Sequence, residues 1–176
     1  MRTLRLFAFA VLLASCGVEA TSPLTPASSA SLDSALLGTW VPTEKDKSVF
    51  VVTAKPRSAV LRVEITGDKE PMQFEGHVSV LAPDLKVLNL QALDERGKAK
   101  GSYLFVRYAL NADGSLELWL VDDKLASAAL NAGTLKGRRG QYGGVTLEDT
   151  PEKMIAFITK GNRDEMFERL VTLKKR

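Results

Sequence analysis

Two side chains in this 176-residue chain stand out as reagents because each occurs once: Cys16, the single cysteine, and His77, the single histidine. An imidazole titrates near neutrality and can act as a general base, but only beside a nucleophile and an orienting carboxylate. The sequence around His77 marks neither, and the Gly-x-Ser-x-Gly elbow of one large hydrolase class is absent. His77 falls on the polar side of a predicted strand, which places it at the surface or at the rim of a barrel. One Cys and one His exclude an intramolecular disulfide, Cys-cluster metal sites and multi-His zinc sites. Acidic pairs occur at Asp122-Asp123, Glu148-Asp149 and Asp164-Glu165, without the Asp-x-Asp-x-Asp-Gly spacing of a calcium loop. Each lies at a predicted helix start or loop, where carboxylates complement the helix dipole. Gly137-Arg138-Arg139-Gly140 and Gly143-Gly144 lack the Lys-Ser/Thr ending of a phosphate cradle and read as hairpin turns. The reading is therefore a non-enzymatic chain with no catalytic residue, no metal and no cofactor.

Cys16 has a different context. Arg2 and Arg5 precede nine apolar residues, Leu6 to Ala14. That is far short of the ~20 residues a membrane-spanning helix needs, and it fits the core of a signal peptide. The run ends in Leu13-Ala14-Ser15-Cys16, which resembles the bacterial lipobox. The resemblance implies that residues 1–15 are removed and that Cys16 becomes the first mature residue, with several acyl chains attached. Each buried CH₂ contributes about 0.8 kcal/mol, so more than one chain gives stable anchoring. Gly17 stands where an inner-membrane retention signal would have Asp. The resemblance thus implies an outer-membrane lipoprotein facing the periplasm in a diderm cell, or one on the outer face of the cell membrane otherwise.

After Cys16, the stretch Gly17 to Ser34 is dominated by Ser, Thr, Ala and Pro and has no apolar period. Such a composition predicts a flexible tether over 16–35, followed by one folded domain over 36–176. The formal net charge is +3, from 24 Lys and Arg against 21 Asp and Glu. Two of the bases are Arg2 and Arg5 and three are the terminal Lys174-Lys175-Arg176, while residues 38–173 hold 19 of each sign. A neutral, exported domain has no use for nucleic acid as a partner. The short basic segments, Arg96 to Lys100, Lys136 to Arg139 and the terminal three, read as solvated loops; contact with anionic headgroups is the alternative.

Most of the domain alternates with period two, the strand signature. Leu61, Val63 and Ile65 form one such row, and Met72, Phe74, Val78 and Val80 another. Leu104, Val106, Tyr108 and Leu110 form a third row, and Leu116, Leu118 and Leu120 a fourth. Asn111-Ala112-Asp113-Gly114 is a hairpin signal. Two short helices interrupt the strands, one capped by Asp122 or Asp123, the other by Thr150 with Pro151 at its first position. The predicted class is mainly β: an antiparallel meander of about eight or nine strands forming a barrel or sandwich, with two short helices.

Gly38-Thr39-Trp40 just before the first strand resembles the Gly-x-Trp of lipocalins. That resemblance implies a barrel plugged at one end by Trp40 and an Arg from the last strand over its ring, with Arg169 as the candidate. The wider layout resembles a group of small bacterial envelope lipoproteins: Glu44-Lys45-Asp46 follows the Trp, Phe74 to His77 lies mid-chain, and a Thr150-headed helix reaches Phe157. If the barrel encloses a cavity, Trp40, Tyr103, Phe105 and Trp119 are the candidates for lining it. The other reading of Tyr103, Phe105 and Trp119 is that helices cover the outside of the barrel and bury both faces. Two functions follow as expectations. The first is a lipid-anchored, non-enzymatic binding or structural module that engages an envelope protein or polymer. The second is a lipocalin-like carrier of a small apolar ligand or lipid.

Overall fold

The computed structural model describes residues 17–68, 70–140, 144–160 and 163–176. The strands are β1 (Val18–Ala20), β2 (Gly38–Pro42), β3 (Val49–Ala54), β4 (Leu61–Thr66), β5 (Met72–Ala82), β6 (Leu85–Leu93), β7 (Ala99–Leu110), β8 (Leu116–Val121), β9 (Gly137–Arg139), β10 (Val145–Leu147) and β11 (Phe167–Lys175). Helices α1 (Asp123–Asn131), α2 (Pro151–Thr159) and α3 (Arg163–Met166) lie between β8 and β11. Eight strands close an antiparallel barrel in the order β2-β3-β4-β5-β6-β7-β8-β11, with β11 returning to β2. The chain is thus a barrel and not a sandwich, and its described residues form three α-helices where two were expected.

Alternation does the work inside. Leu61, Val63 and Ile65 of β4 and Phe74 and Val78 of β5 point into one core, together with Leu88, Leu104, Val106 and Tyr108. Val80 continues the same row but lies at the barrel's end and is 60% exposed. Gly76 stands in that row between Leu61 and Leu90, and a Cβ there would approach the Asn89 carbonyl oxygen. Only glycine permits the backbones to come so near. Register shifts at Val80/Ala82, Gln91/Ala92 and Arg169/Val171 bend the long strands as closure requires.

A second core forms outside the barrel. Val87, Phe105, Val121 and Phe167 turn their side chains outward against Ala126 of α1, Met154 and Ile158 of α2, and Val145 and Leu147 of β10. Caps predicted from sequence hold these helices: Asp122 accepts the Leu125 N–H at 2.8 Å, and Thr150 the Lys153 N–H at 3.5 Å. Asp149 accepts the Lys136 N–H at 2.8 Å and the Thr150 N–H at 2.9 Å, tying the segment before β9 to α2. Gly137 to Arg139 form the edge strand β9 rather than a turn, and after it the Gly140 N–H donates to the Gly144 carbonyl; Gly143 lies outside the described residues.

The segment expected to be a flexible tether is part of the fold. Strand β1 pairs parallel with β10 and antiparallel with β7, extending the wall where β8 ends. Val18, Ala20 and Leu24 are at most 1% exposed. Three well-placed apolar side chains offset the ordering cost that the Ser/Thr/Pro composition alone would not. A polar stripe on the outer wall then clamps residues 24 and 25. The fully buried Asn89 accepts the Leu24 N–H at 2.8 Å and donates to Ser79 Oγ at 2.8 Å and to the His77 carbonyl at 3.2 Å. Thr25 shares a 2.6 Å hydrogen bond with Ser79, and the Thr25 carbonyl lies 2.7 Å from His77 Nε2. Residues 17–35 therefore belong to the folded unit, which is not confined to 36–176.

Removing the Asn89 amide would leave the buried Leu24 N–H without an acceptor. Asn89→Ala is expected to cost about 2–4 kcal/mol in urea unfolding and to speed amide exchange at Leu24. An unchanged midpoint with unchanged exchange would refute the clamp.

Candidate binding cavity and its plugged end

Every inward side chain at mid-barrel is apolar, and together they do not quite fill the interior. The cavity left between them has sixteen lining residues, all apolar, among them Trp40, Phe50, Phe74, Leu90, Leu104 and Leu118. The centre of a water-sized group can occupy about 50 Å³ of it. One water needs roughly 10–15 Å³ on that measure, so about three to five such groups fit. With no polar wall atom to hold water, the space suits a small apolar group or a segment of hydrocarbon chain. Leu170 joins the lining because the register shift beside it lets β11 turn this residue inward.

One end of the cavity is plugged from within the chain. Residues 33–37 pass from the β6–β7 side of the barrel to the start of β2, inserting Leu36 into the interior. Trp40 is 1% exposed, and its indole Nε1–H donates to the Leu36 carbonyl at 2.8 Å. A buried indole needs such a partner, and the bond fixes the ring across the barrel's end. Lys175, paired with Trp40 in the ladder, brings its Nζ to 5.3 Å from the ring centroid. Its aliphatic stem lies against Gly38, whose φ of 129° and lack of Cβ leave that path open. The expectation of an Arg over the tryptophan, with Arg169 as the candidate, is corrected: the cation there is Lys175 of the same last strand. Arg169 lies farther up β11, its Nη1 3.8 Å from Glu117.

Asp33 locks the plug. Its carboxylate accepts from Lys86 Nζ at 2.8 Å and from the Tyr108 hydroxyl at 2.8 Å, and it also accepts the Ala35 N–H at 3.3 Å. Partial burial pushes the Asp33 carboxyl up, but the hydrogen bonds from Lys86 and Tyr108, the Lys86 charge and the Ala35 N–H together hold it below its ordinary value. Burial first, then the bond to Asp33 and its negative charge, push the Tyr108 phenol well up.

Of the residues singled out by sequence as lining candidates, the structure places only Trp40 in the cavity. Phe105, fully buried, and Tyr103 and Trp119, partly buried, lie on the outer wall in the second core. They stand at odd positions of β7 and β8, opposite in phase to Leu104 and Leu118, so the coverage by helices decides their role. The Arg107 guanidinium stacks 4.5 Å from the Trp119 ring centroid and 5.5 Å from that of Phe167. His77 is also corrected: it is 3% exposed beneath the N-terminal segment, not at a surface or rim. Because the Thr25 carbonyl can only accept, His77 Nε2 carries the proton and donates, and the ring has no access to the cavity. Cys16 and the leader lie outside the described residues.

Sequence reasoning missed Leu36, Lys175 and the Asp33–Lys86–Tyr108 lock. Tyr108 alone gave a signal, as a hydroxyl-bearing residue in an otherwise apolar inward row. The lock has a sign that titration can read. The depressed Asp33 contributes stability above its ordinary value of 3.8, lost as pH falls through the folded value. The raised Tyr108 contributes stability below its ordinary 10.0, lost as pH rises beyond it. Asp33→Asn is expected to lower the unfolding midpoint at pH 7 and to flatten the decline below pH 4 in urea titrations. Parallel acid limbs for both proteins would rule the lock out. Compared with protein-family models, with curated proteins and with solved structures, the chain matches none, so the functional reading rests on the geometry above.

Proposed function

We propose that the chain is a lipid-anchored cell-envelope protein that holds a slender apolar ligand, an acyl chain of a fatty acid or lipid, inside its barrel. The observation that carries this reading is the cavity lined by sixteen apolar side chains and plugged at one end by Leu36 and Trp40. It favours the carrier over a module that works only through its outer surface. Burial of each methylene contributes about 0.8 kcal/mol, and a cavity with no polar wall atom exacts no desolvation of protein groups. The ligand's polar end would remain among the loops at 43–48, 67–71 and 94–98, opposite the plug. Binding without chemistry is the natural reading of His77, whose imidazole is already committed to Thr25 on the outer wall.

The leader, with its Leu13-Ala14-Ser15-Cys16 ending, supports an acylated Cys16 and a place at the outer membrane, facing the periplasm, in a diderm cell. Since Val18 is already in a strand, an acylated Cys16 would hold the barrel close to its bilayer with no spacer.

Native mass spectrometry of the chain from Gly17 with a medium-chain fatty acid is expected to show one ligand per barrel. Trp40 emission should shift on binding, in Trp119→Phe as in the parent. Val63→Phe, which fills the cavity, should weaken binding by about tenfold or more while the barrel still folds. No uptake by the folded parent protein sinks the carrier reading. For the anchor, Cys16→Ser should yield an unprocessed or soluble product, and undiminished membrane partitioning would overturn that assignment.

A further inference from the structure

The two ends of the barrel differ in charge, a difference hidden in the near-neutral total. In an antiparallel meander alternate hairpins share an end, so the loops at 55–60, 82–86 and 111–115 gather with the plug at 33–38 and the end of β11. This end carries six bases, Lys55, Arg57, Lys86, Lys174, Lys175 and Arg176, against three acids, Asp33, Asp84 and Asp113. Among the described residues, the hairpins of the opposite end, 43–48, 67–71 and 94–100, hold five bases and six acids. Two of the acids at the plugged end are already committed, Asp33 to Lys86 and Asp84 to Arg163. Arg57, Lys174 and Arg176 are exposed and have no acidic partner among the described residues.

The same end carries exposed apolar side chains. Val80 is 60% exposed, Leu32 40% and Leu110 38%. They surround one point: Val80 pairs with Lys86, Lys86 pairs with Tyr108, both of these bind Asp33, and Leu32 and Leu110 flank Asp33 and Tyr108 in the chain. A soluble surface gains nothing from apolar groups ringed by uncompensated bases, whereas a bilayer of anionic phospholipid complements both features. We infer that the plugged end of the barrel is a membrane-contact face, resting on anionic lipid through Leu32, Val80 and Leu110 with Arg57, Lys174 and Arg176 at the headgroups. The other end of the cavity then faces away from that bilayer. This goes beyond the carrier reading and stands on separate observations; it requires neither a ligand in the barrel nor an acylated Cys16.

The test uses the chain from Gly17, which contains every described strand and helix and lacks residues 1–16. Co-sedimentation with vesicles of phosphatidylglycerol in phosphatidylcholine should exceed that with pure phosphatidylcholine and should fall as salt rises. Each base near such a surface contributes about fivefold in partitioning, so Lys174→Gln with Arg176→Gln should lose roughly 25-fold. Val80→Ser with Leu110→Ser, at exposed positions, should weaken binding while leaving the unfolding midpoint in place. Lys45→Gln with Lys47→Gln, at the opposite end, should retain full binding. Absence of any preference for the anionic vesicles overturns the inference, and so does an equal loss from charge removal at either end.

Discussion

Where β2 meets β11, the first barrel strand joins the last, and the fold depends on that pairing. It turns an eight-strand meander into a closed surface with no free edge, and it places Lys175 beside Trp40. Closure also gives the inward rows a common interior to bury. Without it, Leu61, Val63 and Ile65 would line one face of an open sheet, and Leu36 would have no socket. The Trp40–Leu36 hydrogen bond and the Asp33 lock are built on the same seam, since both fix the chain as it enters β2. The plug and the wall are therefore one structure: whatever loosens the β2–β11 ladder opens the end of the cavity as well.

The outer wall is used as fully as the inner one. On β7, Leu104 and Val106 belong to the inner core and Phe105 to the outer, so this strand is buried on both faces. Coverage comes from α1, α2 and β10 on one side and from residues 18–25 on the other. Each contributes few contacts alone; together they let aromatic residues such as Tyr103, Phe105 and Trp119 serve packing instead of ligand contact. The polar stripe of Ser79, His77 and Asn89 gives that layer its register. A purely apolar wall would accept the covering segment in several alignments, whereas hydrogen bonds to Leu24 and Thr25 select one.

Much of this was legible in the sequence. The rows in β4, β5, β7 and β8 alternate so regularly that the barrel strands follow from them, and Asp122 and Thr150 announce their helices as caps. Trp40 of the Gly38-Thr39-Trp40 motif does lie at a plugged end, but the Arg that the motif implied over its ring is not there. What could not be read has a common physical origin: it depends on which face a distant segment covers. Period two says that Leu104 and Phe105 face opposite ways, but not which way is in. The lysine that stacks on Trp40 was missed because ladder register, not residue type, brings Lys175 there. Residues 17–35 look like a linker because their composition is averaged, although Val18, Ala20 and Leu24 are spaced to bury three side chains and Asp33 has two partners more than fifty residues away.

The pairing of β1 with β10 joins residues near position 20 to residues near 147, and β2 with β11 joins positions near 40 to positions near 174. Both seams therefore join segments that are far apart in the chain. A polypeptide made from its N-terminus can form the hairpins β3 to β8 as they emerge, but it has no closed barrel until β11 has been made. Such long-range closure is slow compared with hairpin formation. The order of events is then fixed by topology. The wall stays open along one side until β11 is available, and that strand completes the wall, seats the plug and shuts the interior in a single late step.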